Sequence, residues 1–308
     1  LGSGDPCYIA QAKFYNAAFG LFFKRLAADG ITRSNTLFIV SSDEGDHMAG
    51  ANVGRAIAPV PANCNGVTVP CTYPAKTFGE LSTNVTGLLA TQKHDKTPFS
   101  LQADVSPSFY VTGNPAPGSR VVRRLERDVA GLTAKNPYAG ATQHLANYIA
   151  DPVELGILHI ANADPARTPS FTMFAKPDYY LYDGGTKCSG ACVQGVTTDA
   201  WNHGAYAAEI NTNWVGFVGP GVKHLGLDES PPAAGPNSAG PNSGQLTVAQ
   251  SHAKGTWVDE TDIRPTLLYL TGLRDDYTAD GRVITQLLTH RNHALRGEDV
   301  SELGACYK

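Results

Sequence analysis

Residues 9–28, IAQAKFYNAAFGLFFKRLAA, place apolar side chains at helical spacing, and Asp29-Gly30 stops the pattern. Asn35 then leads into TLFIV, a short apolar run of the kind found in strands buried on both faces. Helix, turn, buried strand and acidic loop follow one another as they do in α/β domains. In such folds ligand sites lie beyond the carboxyl ends of the strands. The stretch Thr36 to Ala51, TLFIVSSDEGDHMAGA, puts Asp43, Glu44, Asp46 and His47 at that end.

Residues 52–74 are irregular and Pro-rich, and a helical pattern follows near 77–91. The next stretch, VSPSFYVTGNPAPGSR, has the pattern of a strand and a Pro/Gly turn, and RVVRRLERDVAGLTA is helical. Residues 143–162 predict a helix broken at Pro152. SFTMFAKPDYYLYDGG predicts two strands around Lys176-Pro177. Further on, NWVGFVGPGV is a second buried strand ending at Gly219-Pro220-Gly221. The stretch 235–244, GPNSAGPNSG, is a low-complexity loop. TDIRPTLLYLTGL predicts a helix capped by Thr261 or Asp262, with Pro265 in its first turn and Gly272 at its end. Residues 281–290 predict a last short helix.

The 308 residues suffice for one large α/β domain or two smaller ones. A formal charge of -4 leaves no basic footprint for nucleic acid. The cationic cluster Arg120 to Arg127 carries Glu126 and two valines, which fits a solvated helix face. No apolar run approaches the ~20 residues a membrane span needs. The six cysteines fall as two close pairs and one at each end, so local pairing gives Cys64–Cys71, Cys188–Cys192 and Cys7–Cys306. Disulfides favour an oxidising compartment, secreted or periplasmic. The rival, a zinc site, lacks CxxC spacing in CSGAC.

Three places carry candidate chemistry. Asp43 and Glu44 are consecutive at a strand end, and Gly45 permits the turn that would aim both at one ion. The alternative is an exposed turn with solvated acids. His203, in WNHGAY, precedes the second core strand and is either a ligand or a satisfied structural group. Asp5, in GSGDPCY, precedes the first helix, where a turn or cap is the plain reading. No GxSxG elbow and no phosphate-cradling glycine motif is present.

Taken in order, TLFIVSSDEG, WNHGAY, and TDIRPTLLYLTGL followed by DGRVITQLL resemble the alkaline phosphatase superfamily, which includes phosphodiesterases, sulfatases and phosphoglycerate mutases. DEGDHMAG is similar to a stretch in bacterial secreted phosphoesterase-like members. The resemblance covers about residues 1–55 and 195–290. It implies a three-layer α/β/α sandwich around a mostly parallel central sheet, incomplete at the N-terminus. Residues 1–63 and 186–308 would be core segments, and 64–185 an insertion or lid. The implied activity is metal-dependent hydrolysis of phosphoric esters, with sulfuric ester hydrolysis or a non-catalytic binding module as alternatives. The implied metal ligands are Asp5, Asp43, Glu44, His47 and His203. The implied cofactor is a divalent metal, zinc first, with calcium or magnesium next.

The chain also departs from the family. Glu44 stands where the family has His, and Ile9 occupies the position of a His four residues after the early Asp. His47 is the nearby imidazole that could replace it. The family's nucleophile maps to no residue here. The resemblance therefore implies the C-terminal part of a longer protein, partnered by an N-terminal fragment of the same parent.

Overall fold

The computed structural model describes residues 4–50, 60–74, 78–184, 190–211, 213–224 and 258–289. The helices are α1 (Pro6–Ala28), α2 (Val85–Gln92), α3 (Arg120–Ala130), α4 (Pro152–Ile157), α5 (Ala208–Asn211) and α6 (Ile263–Thr271). The first strands are β1 (Phe38–Ser41), β2 (His47–Met48), β3 (Glu80–Asn84), β4 (Phe99–Gln102), β5 (Ser108–Val111), β6 (Thr133–Asn136) and β7 (Ala141–His144). They are followed by β8 (Ala146–Ala150), β9 (Phe171–Ala175), β10 (Tyr179–Tyr182), β11 (Val193–Val196), β12 (Trp201–Asn202) and β13 (Val215–Val218). Among the described residues, 4–14 and 44–213 form one compact unit, and 15–43, 214–224 and 258–289 form a second.

The first unit holds the main core. Strands β4, β5, β9 and β8 make an antiparallel sheet in that order, and β10, β3 and β11 a smaller one. In β5 (SFYV) burial alternates, so Phe109 and Val111 face inward. Phe109 is the register partner of Phe171 on β9, and their rings stack with centroids 4.5 Å apart. Helix α3 is amphipathic: Val122, Leu125 and Val129 are buried while its arginines point outward. Ser119 caps its start, and Asn84 caps α2 by accepting from Gly87 N at 3.1 Å. These helices pack Leu88, Leu89 and Leu125 into one cluster with Leu81, Phe109, Phe171, Met173, Tyr179 and Leu181. Each such side chain contributes about 1.5–3 kcal/mol on burial.

The second unit is built differently. No side chain of α1, whose residues 15–28 belong to this unit, is buried. Strands β1 and β13 pair antiparallel, Phe38 with Val218 through Ser41 with Val215, as a two-stranded sheet. Gly219 lets the chain leave β13 close to β1, since a Cβ there would lie 2.5 Å from the Thr36 carbonyl oxygen. Helix α6 ends at Gly272, whose φ of 70° gives the left-handed cap.

The expected α/β/α sandwich is not what the chain forms. The described sheets are small and mostly antiparallel, and the one parallel pair is β10 with β3. The run TLFIV does yield a strand, β1, but it is half-exposed and its described partner runs antiparallel. Apolar periodicity marks a strand without fixing its direction or its neighbours. Residues 64–185, read as an insertion or lid, supply most of the first unit's core. Residues 143–162, expected as one broken helix, form parts of β7 and β8 and then α4. Pro152 does not break that helix but opens it, behind an Asp151–Glu154 capping box.

The cysteines follow the local scheme in part. Cys64 and Cys71 are bonded, with Cα atoms 5.1 Å apart. Cys192 is also disulfide-bonded, while Cys188 lies outside the described residues. Cys7 is free and exposed, so the expected Cys7–Cys306 bridge is not formed; Cys306 itself lies outside the described residues. Pairing the two leftover cysteines assumed that the ends meet, but Cys7 sits on the exposed first turn of α1. Residues 235–244 also lie outside the described residues. Among the described residues no helix is long and apolar enough to cross a membrane.

Candidate functional site

Two of the motif segments meet within the first unit. Strand β2 pairs antiparallel with β12, His47 opposite Asn202 and Met48 opposite Trp201. The ladder is extended by Ala49 N donating to Ala200 O at 2.8 Å and Gly79 N donating to Ala49 O at 3.0 Å. Before β2, Gly45 N donates to Ile210 O at 2.7 Å. These backbone bonds hold the DEGDH and WNHG segments side by side.

Their side chains then divide by depth. Glu44 and His203 face solvent, with side chains 33% and 63% exposed. Glu44 Oε1 lies 2.9 Å from His203 Nδ1, and Glu44 Oε2 accepts from Gly204 N at 2.5 Å. Gly204 has φ 80°, and a Cβ there would stand 3.2 Å from Asp104 Oδ1. A side chain at 204 would therefore be strained and would crowd that carboxylate. Ser106 Oγ donates to the Gly204 carbonyl, so the turn carrying His203 is tied down from two sides.

His47 turns the other way. It is 1% exposed, and its Nε2 lies 2.9 Å from Asp178 Oδ1. Asp178 also accepts from Gly50 N through Oδ1, and from Asn136 Nδ2 through Oδ2 at 2.9 Å. Burial raises the Asp178 pKa, but the hydrogen bonds and the His47 partner outweigh it and hold the carboxyl below its usual range. Nearby, burial and the Asp178 charge push the Tyr138 phenol up to about 12, and its O–H donates to Gly79 O at 2.6 Å. Asn202 Nδ2 donates to Pro177 O at 2.9 Å. A buried carboxylate with this many donors is a satisfied polar knot.

Asp5 stands immediately before α1 and accepts from Cys7 N at 2.8 Å, the geometry of a helix cap. Asp43 is exposed and belongs to the second unit. The third motif pair also lies in that unit, and there it serves packing. Asp262 is buried and accepts from Arg282 N at 2.7 Å and from Asp259 N at 3.1 Å. Thr266 Oγ1 accepts from Ile284 N at 2.9 Å. DIRPT and DGRVI thus lock together by side-chain to backbone bonds.

The structure brings Glu44 and His203 into contact, while His47 is buried against Asp178, Asp5 caps α1 and Asp43 is an exposed residue of the second unit. Among the described residues no group of three or more His, Cys, Asp or Glu side chains is placed to hold a metal ion. Glu44 and His203 offer one oxygen and one nitrogen donor, which suits a borderline divalent ion such as zinc. Sequence reasoning passed over Asp178, Asn136 and Asp104. Asp178 carried a legible signal, a lone acid inside the strand pattern of SFTMFAKPDYYLY, because acids are seldom fully buried without a partner.

Comparison with protein-family models, curated proteins and solved structures gives no match to this chain.

Proposed function

We propose that this chain contributes divalent-metal ligands, Glu44 and His203, to a metal-dependent hydrolase of phosphoric esters acting outside the cytoplasm. The observation that carries the reading is the 2.9 Å contact between Glu44 Oε1 and His203 Nδ1 on a solvent-facing edge. Two segments singled out by the resemblance, far apart in sequence, supply that one pair. Gly204 N fixes the carboxylate, and the β2–β12 ladder fixes both backbones, so the donors are held before any ligand arrives. A bound divalent ion would supply Lewis-acid stabilisation of charge on the ester oxygens. His47, tied to Asp178, acts from behind by holding β2 in place. The nucleophile is assigned to no residue. The Cys64–Cys71 disulfide supports an oxidising compartment.

The test is metal titration of the chelator-stripped chain by calorimetry, with zinc, calcium and magnesium in turn. Saturable binding is expected, with Glu44→Gln and His203→Ala each weakening it by on the order of tenfold or more. Equal binding by the wild type and the double variant would overturn the reading. Hydrolysis of an aryl phosphate against an aryl sulfate then separates the two ester classes.

One observation favours a second reading, a non-catalytic binding module: only two donors converge at this edge among the described residues. Metal binding without turnover of either ester, in the presence of any co-purifying fragment of the same parent, supports that module instead.

A further inference from the structure

Strand β1, in the second unit, presents an open edge. Among the described residues it pairs with β13 alone, as a two-stranded sheet. A ladder of two strands is marginal by itself in water. Ser42 N donates to Trp214 O at 3.4 Å, one step beyond the Ser41–Val215 pair, so that opposed pair is hydrogen-bonded. Hydrogen-bonded and non-hydrogen-bonded pairs alternate along an antiparallel ladder. The N–H and C=O groups of Ile39 and Ser41 therefore point away from β13, towards the open side.

This edge lacks the features that keep edge strands from pairing. Natural edges are blunted by charges, prolines or bulges. From Leu37 to Ser42 the sequence is LFIVSS, without a charge or a proline, and its register with β13 runs without a shift. Phe38 packs edge-on against Phe23 of α1, ring centroids 5.4 Å apart, yet Val40 is 37% and Val218 of β13 is 51% exposed. An apolar run of this kind belongs inside a sheet rather than at its rim.

Charge selects the occupant. Arg33 and Asp43 are exposed and stand symmetrically about Phe38 in the sequence, both within the second unit. An antiparallel copy of β1 centred on Phe38 sets Leu37 opposite Ile39 and carries Arg33 towards Asp43 of the second copy, at both ends. Opposite charges across a strand pair are favourable, whereas a parallel copy would oppose like with like. The other edge offers no such match, because residues 213–222 of the β13 segment carry no charge.

We propose that two copies of this chain associate through β1, pairing antiparallel about a two-fold axis into one continuous sheet with β13 on each outer side. The interface is isologous: each copy gives the Leu37–Ser42 edge and receives the same edge. The inference does not depend on the Glu44–His203 reading.

The experiment is sedimentation velocity of the full chain from about 1 to 200 µM, with native mass spectrometry of the same samples. It is run with excess chelator and on a Cys7→Ser background, so that neither a bridging metal nor the exposed thiol joins two chains. The mass should rise from one chain to two, with a dissociation constant on the order of 10 µM. Val40→Lys puts a charge on the edge at an exposed position and should weaken association by about tenfold or more. Ile39→Pro removes an outward N–H while leaving the bonds to β13, and should do the same. Arg33→Glu should weaken the dimer, and Arg33→Glu/Asp43→Lys should restore it, a recovery that a misfolded variant could not give. The proposal is overturned by a monomer at every concentration, by a dimer indifferent to Val40→Lys and Ile39→Pro, or by a double reversal no better than the single one. It is equally overturned if the larger species contains a different polypeptide, which would give this edge to a fragment of the parent instead.

Discussion

The two compact units use opposite means of holding their chain. In the first, strands and helices meet across a dry cluster in which Phe109, Phe171, Leu125 and Tyr179 are fully buried. In the second, the buried side chains near α6 include the polar Asp262 and Thr266, with Ile284 and Leu288 as the buried apolar ones among the described residues. Large apolar groups there, such as Leu21, Phe22 and Leu273, stay exposed. The first unit buries a large apolar cluster, while the second buries few apolar side chains and relies more on short-range locks between side chains and backbone. An area-stabilised core tolerates surface change and suffers from cavities. A backbone-locked unit suffers from any atom inserted at the lock.

The largest effect expected is Phe109→Ala, a loss of about 3–5 kcal/mol, read as a shifted urea midpoint. Asp178→Asn comes next, on the order of 3 kcal/mol, because His47 is left buried without its carboxylate. This variant also carries a pH signature. The folded Asp178 pKa is lowered, so its contribution is fully present above the unfolded value of about 3.9 and is lost as pH falls through the folded value. Urea midpoints measured from pH 6 down to 2.5 should fall more steeply for the wild type than for Asp178→Asn below about pH 4. Parallel curves would remove the buried pair from the account of the first unit.

In the second unit, Gly281→Ala should cost about 1–3 kcal/mol. Its Cβ would sit 2.1 Å from the Thr261 carbonyl oxygen, so backbone must move. Amide exchange should show the loss around residues 259–289 while Phe109 and Phe171 stay protected. The smallest effect is Leu21→Ala, within about 0.5 kcal/mol, since the side chain is exposed and both residues favour helix. A loss above about 2 kcal/mol there would show that α1 is covered in solution, and would erase the contrast between the units.

Local elements were the legible part. The α1 pattern, the amphipathic α3, the two strands around Lys176-Pro177 and the Gly272 stop all follow from spacing and turn chemistry, and all form. Residues 143–162 were misread because their apolar positions fit either period, and Asp151-Pro152 was taken as a break rather than a cap and first turn. At the candidate site, Glu44 and His203 were legible as ligand types, and the structure sets them together. His47 was legible as an imidazole but not as a buried one, because burial depends on Asp178 and Asn136, which come from far along the chain.

The sequence by itself determined some element limits, such as the Asp29-Gly30 and Gly272 stops, and which side chains carry oxygen or nitrogen donors. These follow from backbone sterics, capping and periodicity over a few residues. Tertiary structure alone decided strand direction, the antiparallel meeting of β2 with β12, and which imidazole faces water. Those depend on pairings between segments far apart in the chain, where direction and neighbour are chosen by packing that no local pattern records.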